Sequence, residues 1–135
     1  MYSIKHYKDA GLYPMLAGWW KARSWLAVPE EYLPEIGYVI YEDEFPVLAG
    51  FLYFPSKTLA WTDWMVANPE ATKEQKDKAF PILFDLVESV AKEMGALVMF
   101  TGARKGHPYQ KRAQTAGFDV ADEEMVHLYK RLSDA

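Results

Sequence analysis

The chain of 135 residues is half hydrophobic and 16% aromatic, a core inventory sufficient for one domain, 1–135, that buries about two-thirds of its unfolded surface and needs no staple. Its net charge of −4 and sequence pI near 5.4 exclude a protein whose main work is coating nucleic acid or an anionic membrane. With no cysteine there is no thiol catalysis, thiolate metal site or disulfide framework, and the three histidines fall at no metal-ligand spacing.

In chain order, "YSIKHY" reads as a short strand. Asp9 is placed to cap a helix running through "LYPMLAGWWKARSWLAV", with Leu12, Leu16, Trp19, Trp20 and Leu26 at helical spacing. "PEEYLPE" is a proline-bounded connection. "IGYVIYEDEFPVLAGFLYFP" follows as two β-branched and aromatic strands around an acidic turn at Glu42 to Glu44, and "LAWTDWMVA" as a third after "PSKT".

After Pro69 the period changes. Phe80, Leu83, Phe84, Val87, Val90, Ala91 and Met94 fall on one helical face, and Gly95 stands where a helix stops. "ALVMFTGA" reads as a buried strand, and "HPYQKRAQTAG" as a short helix opened by Pro108 and stopped by Gly117. "FDV" and the alternating "EEMVHLYKRL" are expected to close the chain as strands. The expected order is β-α-βββ-α-β-α-ββ, an α+β arrangement with a mixed, mostly antiparallel sheet of six or seven strands flanked by three or four helices.

That order, the strand-helix junction at Pro69 and the "AGF … MVHLYKRL" ending resemble the GNAT acyltransferase superfamily, and the resemblance implies a GNAT-like fold and transfer of an acetyl group from acetyl-CoA to an amine. It also implies that pantetheine lies along the fourth strand, at Met65, Val66 and Ala67, as an added strand would. The pyrophosphate is then expected at the following helix start, where free N–H groups and the helix dipole attract anions. The family's motif there is Arg or Gln, two residues, Gly, one residue, Gly or Ala. Anchored on Ile82 and Leu83, its three positions are Glu74, Asp77 and Ala79; anchored on Pro69 they are Thr72, Gln75 and Asp77. Neither register supplies a glycine, and both place a carboxylate beside the phosphates.

Two readings of this run follow. One is a worn cofactor loop using Gln75, Lys76, Asp77, Lys78 and Ala79; the other is a solvated helix start with Thr72 and Gln75 as a capping box. Pro81 moves the regular helix toward Asp77, itself a good N-cap. For the chemistry, the resemblance implies a carboxylate base on the fourth strand, met here by Asp63 between Trp61 and Trp64, and a tyrosine acid in the last helix. Ala113 occupies the family's tyrosine position, so Tyr109, a turn earlier, is the candidate. His107 stands where relatives carry a cofactor-contacting asparagine.

Each candidate also has a structural reading: Asp63 on a solvent face, Tyr109 as a packing aromatic, His107 as a surface residue. Arg104, Lys105, Lys111 and Arg112 offer an anion site or ordinary solvated charge. Exposed aromatics from "GWWKARSW" would mark a protein partner, a homodimer interface or the wall of an acceptor cleft. The partner is expected to be a small-molecule or protein amine, with no membrane and no nucleic acid. Without a signal peptide or an apolar run near 20 residues, the expected location is cytoplasmic. The alternative is a GNAT-like, phage-associated protein that has lost catalysis and binds other proteins, in a host cytoplasm or a virion.

Overall fold

The structure, a computed structural model, describes residues 1–132. Its elements are β1 (Tyr2–His6), α1 (Tyr13–Ala22), β2 (Ile36–Glu42), β3 (Phe45–Ser56), β4 (Leu59–Ala67), α2 (Lys73–Glu93), β5 (Val98–Thr101) and α3 (Pro108–Thr115), with a short 3-10 turn at Glu30–Tyr32. Among the described residues the sheet has five strands in the order β1-β2-β3-β4-β5, antiparallel except for β4 with β5. The architecture is the expected mixed α+β one, with fewer strands than the sequence reading supplied.

Strand alternation sorts the core into two halves, because successive side chains leave a strand on opposite faces. Ile40, Leu48 and Leu52 join Leu83, Phe84 and Val87 of α2 on one face. Their neighbours Val39, Ala49 and Phe51 join Leu16, Trp19 and Trp20 of α1 on the other. A sheet covered on both faces explains why β2 and β3 read as near-continuous apolar runs.

Gly37 shows how tight the α1 side is. A Cβ there would stand 2.4 Å from the Phe51 ring and 2.7 Å from the Tyr7 ring, both fully buried. Gly37→Ala is expected to destabilise the fold by about 1–3 kcal/mol through overpacking. Chemical denaturation would check this, and an unchanged midpoint would refute it.

Five expectations need correction. Asp9 caps nothing: α1 begins after Leu12, which makes no side-chain cap, with proline in its first turn. The helix also ends at Ala22, and Ser24 at φ 60° turns the chain so that Trp25 and Leu26 lie exposed outside it. α2 begins at Lys73 and continues through Pro81, so Asp77 is not its N-cap. β5 is half-exposed rather than buried, with Val98 49% and Phe100 38% exposed, because it is the edge of the sheet.

The fifth correction concerns the ending. Phe118 to Leu132 form neither helix nor strand, and Met125, Val126, Leu128, Tyr129 and Leu132 face solvent. Alternation alone cannot make a strand, since it needs a partner edge and cross-strand side chains to pack against. The strand nearest in sequence, β5, is only four residues long.

Candidate active site between β4 and β5

The parallel pairing of β4 with β5 runs from Leu59 opposite Val98 to Thr62 opposite Thr101 and then stops. β4 continues to Ala67 paired with β3 alone, so among the described residues one backbone edge of 63–67 has no neighbouring strand. Met65, Val66 and Ala67 lie on this stretch. At its far end the guanidinium of Arg23, just past α1, donates to the Ala67 carbonyl at 3.0 and 3.2 Å.

A bulge sits where the strands part. Phe51 faces Asp63 and Ala49 faces Val66, so Trp64 and Met65 together stand opposite Gly50. Trp64 takes φ 60°, a conformation costly for a bulky side chain and held only where the surroundings over-determine it. The bulge turns the Trp64 indole so that its Nε1–H donates to the hydroxyl of Tyr53, which is paired with Trp61.

Asp63 is partly buried at this point. Its Oδ1 accepts the backbone N–H of Trp64 at 2.9 Å and its Oδ2 the Trp61 indole N–H at 3.4 Å. Burial pushes its carboxyl above the ordinary aspartate value, against the smaller pull of those two donors and of nearby His127. Tyr109 packs on Phe80 and Phe84, and its hydroxyl lies 2.7 Å from Thr101 Oγ1. Thr101 Oγ1 spends its own proton on the Thr62 carbonyl at 2.8 Å, so Tyr109 must be the donor to Thr101. Burial raises the Tyr109 pKa, and the charge of Asp63 raises it further. Asp63 is thus a desolvated carboxyl just past the last β4-β5 pair, and Tyr109 a neutral donor that braces that pair through Thr101.

At the start of α2 the capping box is formed. Thr72 Oγ1 accepts from Gln75 N at 3.1 Å, and Gln75 Oε1 accepts from Thr72 N at 2.9 Å. The Gln75 side-chain amide also donates to Glu42 at 2.9 Å. The Lys76 amide is bonded to the Thr72 carbonyl at 3.0 Å, and Asp77, Lys78 and Ala79 lie in the helix beyond it, with Ala79 fully buried. Asp77 is not a bare carboxylate: Lys73 at 2.8 Å and Arg112 of α3 at 3.0 Å hold its pKa below the ordinary value. Arg112 also lies over the Phe80 ring at 4.7 Å, tying α3 to α2. His107 is the N-cap of α3, its Nδ1 accepting from Tyr109 N at 3.1 Å.

The sequence reading missed the φ of Trp64, the reach of Arg23 to β4, the Asp77-Arg112 pair and the approach of Tyr32 and Tyr53 to the mouth of the opening. None has a local signal, because each depends on segments far apart in the chain. Of the basic residues read as an anion site, Arg112 pairs with Asp77 and Lys105 with Glu123 at 3.3 Å. Trp25, exposed by 43%, sits 5.7 Å from the Arg23 guanidinium.

No protein-family model matches the sequence, and no curated protein matches it. Solved structures do match. A probable acetyltransferase from meticillin-resistant Staphylococcus aureus aligns over 97% of this chain and 99% of its own, with a TM-score of 0.71 at 11% identity. An aminoglycoside acetyltransferase from an uncultured soil sample aligns over 98% and 97%, with a TM-score of 0.66 at 18% identity. N-acetylglutamate synthase from Neisseria gonorrhoeae, complexed with coenzyme A and L-arginine, aligns over 84% of this chain and 30% of its own, with a TM-score of 0.59 at 16% identity. The chain has the fold of the GNAT acetyltransferases, the superfamily its sequence resembles.

Proposed function

We propose that this protein is an N-acyltransferase that moves an acetyl group from acetyl-CoA to an amine, with the donor entering between β4 and β5. The observation carrying this reading is the unpaired backbone edge of residues 63–67 with a desolvated Asp63 at its mouth. Such an edge fits pantetheine, whose amides pair with a strand as another strand would. The fit differs at the phosphate end. The Gln75 and Lys76 amides are engaged within the helix start, so side-chain cations, Lys76 and Lys78, with Arg112 shared with Asp77, carry the phosphates in place of a glycine loop.

The donor supplies an acyl thioester. Asp63 takes the proton that an ammonium must lose before its nitrogen attacks the thioester carbon. As the C–N bond forms, the C–S bond breaks and sulfur leaves with the electron pair; the second nitrogen proton then neutralises the thiolate. Backbone N–H groups on the open edge of β4, other than that of Trp64, which Asp63 holds, polarise the carbonyl oxygen, and Tyr109 keeps the two strands at their parting point. Tyr109 acts as leaving-group acid only by turning its proton away from Thr101.

Titration calorimetry with acetyl-CoA tests the reading. Saturable one-site binding near micromolar, about −8 kcal/mol, is expected. Asp77→Ala is expected to tighten that binding several-fold, because it releases Lys73 and Arg112 toward the phosphates and removes a like charge. No heat at millimolar acetyl-CoA, with an unchanged Tm, would refute the proposed donor.

A further inference from the structure

Beside the opening lies a cleft of about 430 Å³ lined by five aromatic side chains, among them Tyr32, Tyr53, Trp61 and Trp64, with Asp63 as its one charged lining residue. Its walls come from three distant segments: the turn before β2, the end of β3 and the bulge of β4. Rings from the last two are fixed in place: the Trp64 indole donates to the Tyr53 hydroxyl, and Trp61 stacks on Phe100 with centroids 5.4 Å apart. No lysine or arginine lines it. His127 of the C-terminal segment lies near enough to act on Asp63.

This composition selects by charge. Aromatic faces attract a cation through their negative quadrupole, and more strongly when water is kept away. A single carboxylate adds direct pairing, whereas an anion entering the cleft would find neither a partner cation nor a favourable ring face. The backbone strain at Trp64 serves this arrangement, since regular alternation would send that indole to the opposite face of the sheet.

We propose that the cleft binds the acceptor as an organic cation: a primary ammonium on an apolar or aromatic body, with no anionic group beside the amine. The assignment rests on the acyltransferase reading for what happens to the ligand, but the cleft's charge preference stands by itself. Amino-acid acceptors are disfavoured, because their carboxylate would face Asp63 and aromatic rings.

Tryptophan fluorescence of the full chain, titrated in low salt without acetyl-CoA, tests the cleft with 2-phenylethylammonium and with its anionic counterpart of similar size, 3-phenylpropionate. Saturable quenching is expected with the ammonium, about tenfold or more tighter than with the carboxylate. Asp63→Asn and Trp64→Ala are each expected to weaken ammonium binding about tenfold, while Tyr13→Phe, remote from the cleft, leaves it unchanged. Equal binding of the two probes, no binding of the ammonium at millimolar concentration, or unchanged binding by Asp63→Asn would overturn the proposal. Because acetyl-CoA is absent, this failure is distinct from a failure to bind the acyl donor.

Discussion

Asp63→Asn is expected to lower the rate of acetyl transfer by about 10²- to 10⁴-fold, the range for removing a positioned general base, and at the same time to raise the Tm at neutral pH. Both effects follow from the burial of one carboxyl. The fold favours the neutral form, so the folded pKa lies above the unfolded one. Its stabilising contribution is complete below the unfolded value, near 3.9, and is lost as pH rises through the raised folded value. Above the unfolded value the raised pKa opposes folding, and asparagine relieves that cost while keeping an oxygen for the Trp64 amide. For the native protein, activity rises with pH as Asp63 ionises through its raised pKa. Thiol release after an acceptor screen, together with differential scanning calorimetry, checks both. Full activity in the variant would remove Asp63 from the chemistry, and a lowered Tm would show that its charge is compensated.

Leu83→Ala is expected to cost about 2–5 kcal/mol, a fall in Tm of about 10 °C. Leu83 is fully buried at the centre of the contact between α2 and β3. Its Cδ2 stands 2.8 Å from the place a Cβ on Gly50 would occupy, and the Met65 Sδ and Cε stand 3.1 Å from that place. One contact thus couples α2 to the bulge that shapes the opening. Gly50→Ala in the native background is destabilising by overpacking, whereas in the Leu83→Ala background its methyl enters vacated space. The double variant is therefore expected to be more stable than the sum of the two single changes predicts, by about 0.5–3 kcal/mol. Strict additivity in denaturant unfolding would show that the methyl and Leu83 do not share this space.

What was legible in the sequence is what depends on neighbours along the chain. The capping box of Thr72 and Gln75, the α2 face from Phe80 to Ala91, the stop at Gly95 with φ 96° and the acidic turn between β2 and β3 are all built from residues a few positions apart. Pro81 misled because packing of Phe80, Leu83 and Phe84 holds the helix through a missing hydrogen bond. The closing strands misled for the opposite reason: "EEMVHLYKRL" has the alternation of a strand but no edge paired with it in the structure.

The sequence by itself determined the elements from β1 to α3 and their order, since 3.6- and 2-residue periods, caps and turn residues act locally, and it singled out Asp63 as a candidate. Only the tertiary structure decided that β4 and β5 part after Thr62 and Thr101, and that Trp64 turns at the bulge to meet Tyr53. It also decided that Asp77 is neutralised by Lys73 and Arg112, and that Asp63 sits among rings from Tyr32, Tyr53 and Trp61. Burial, charge pairing and cleft shape arise between segments distant in the chain, and these set the pKa and the ligand preference of a site.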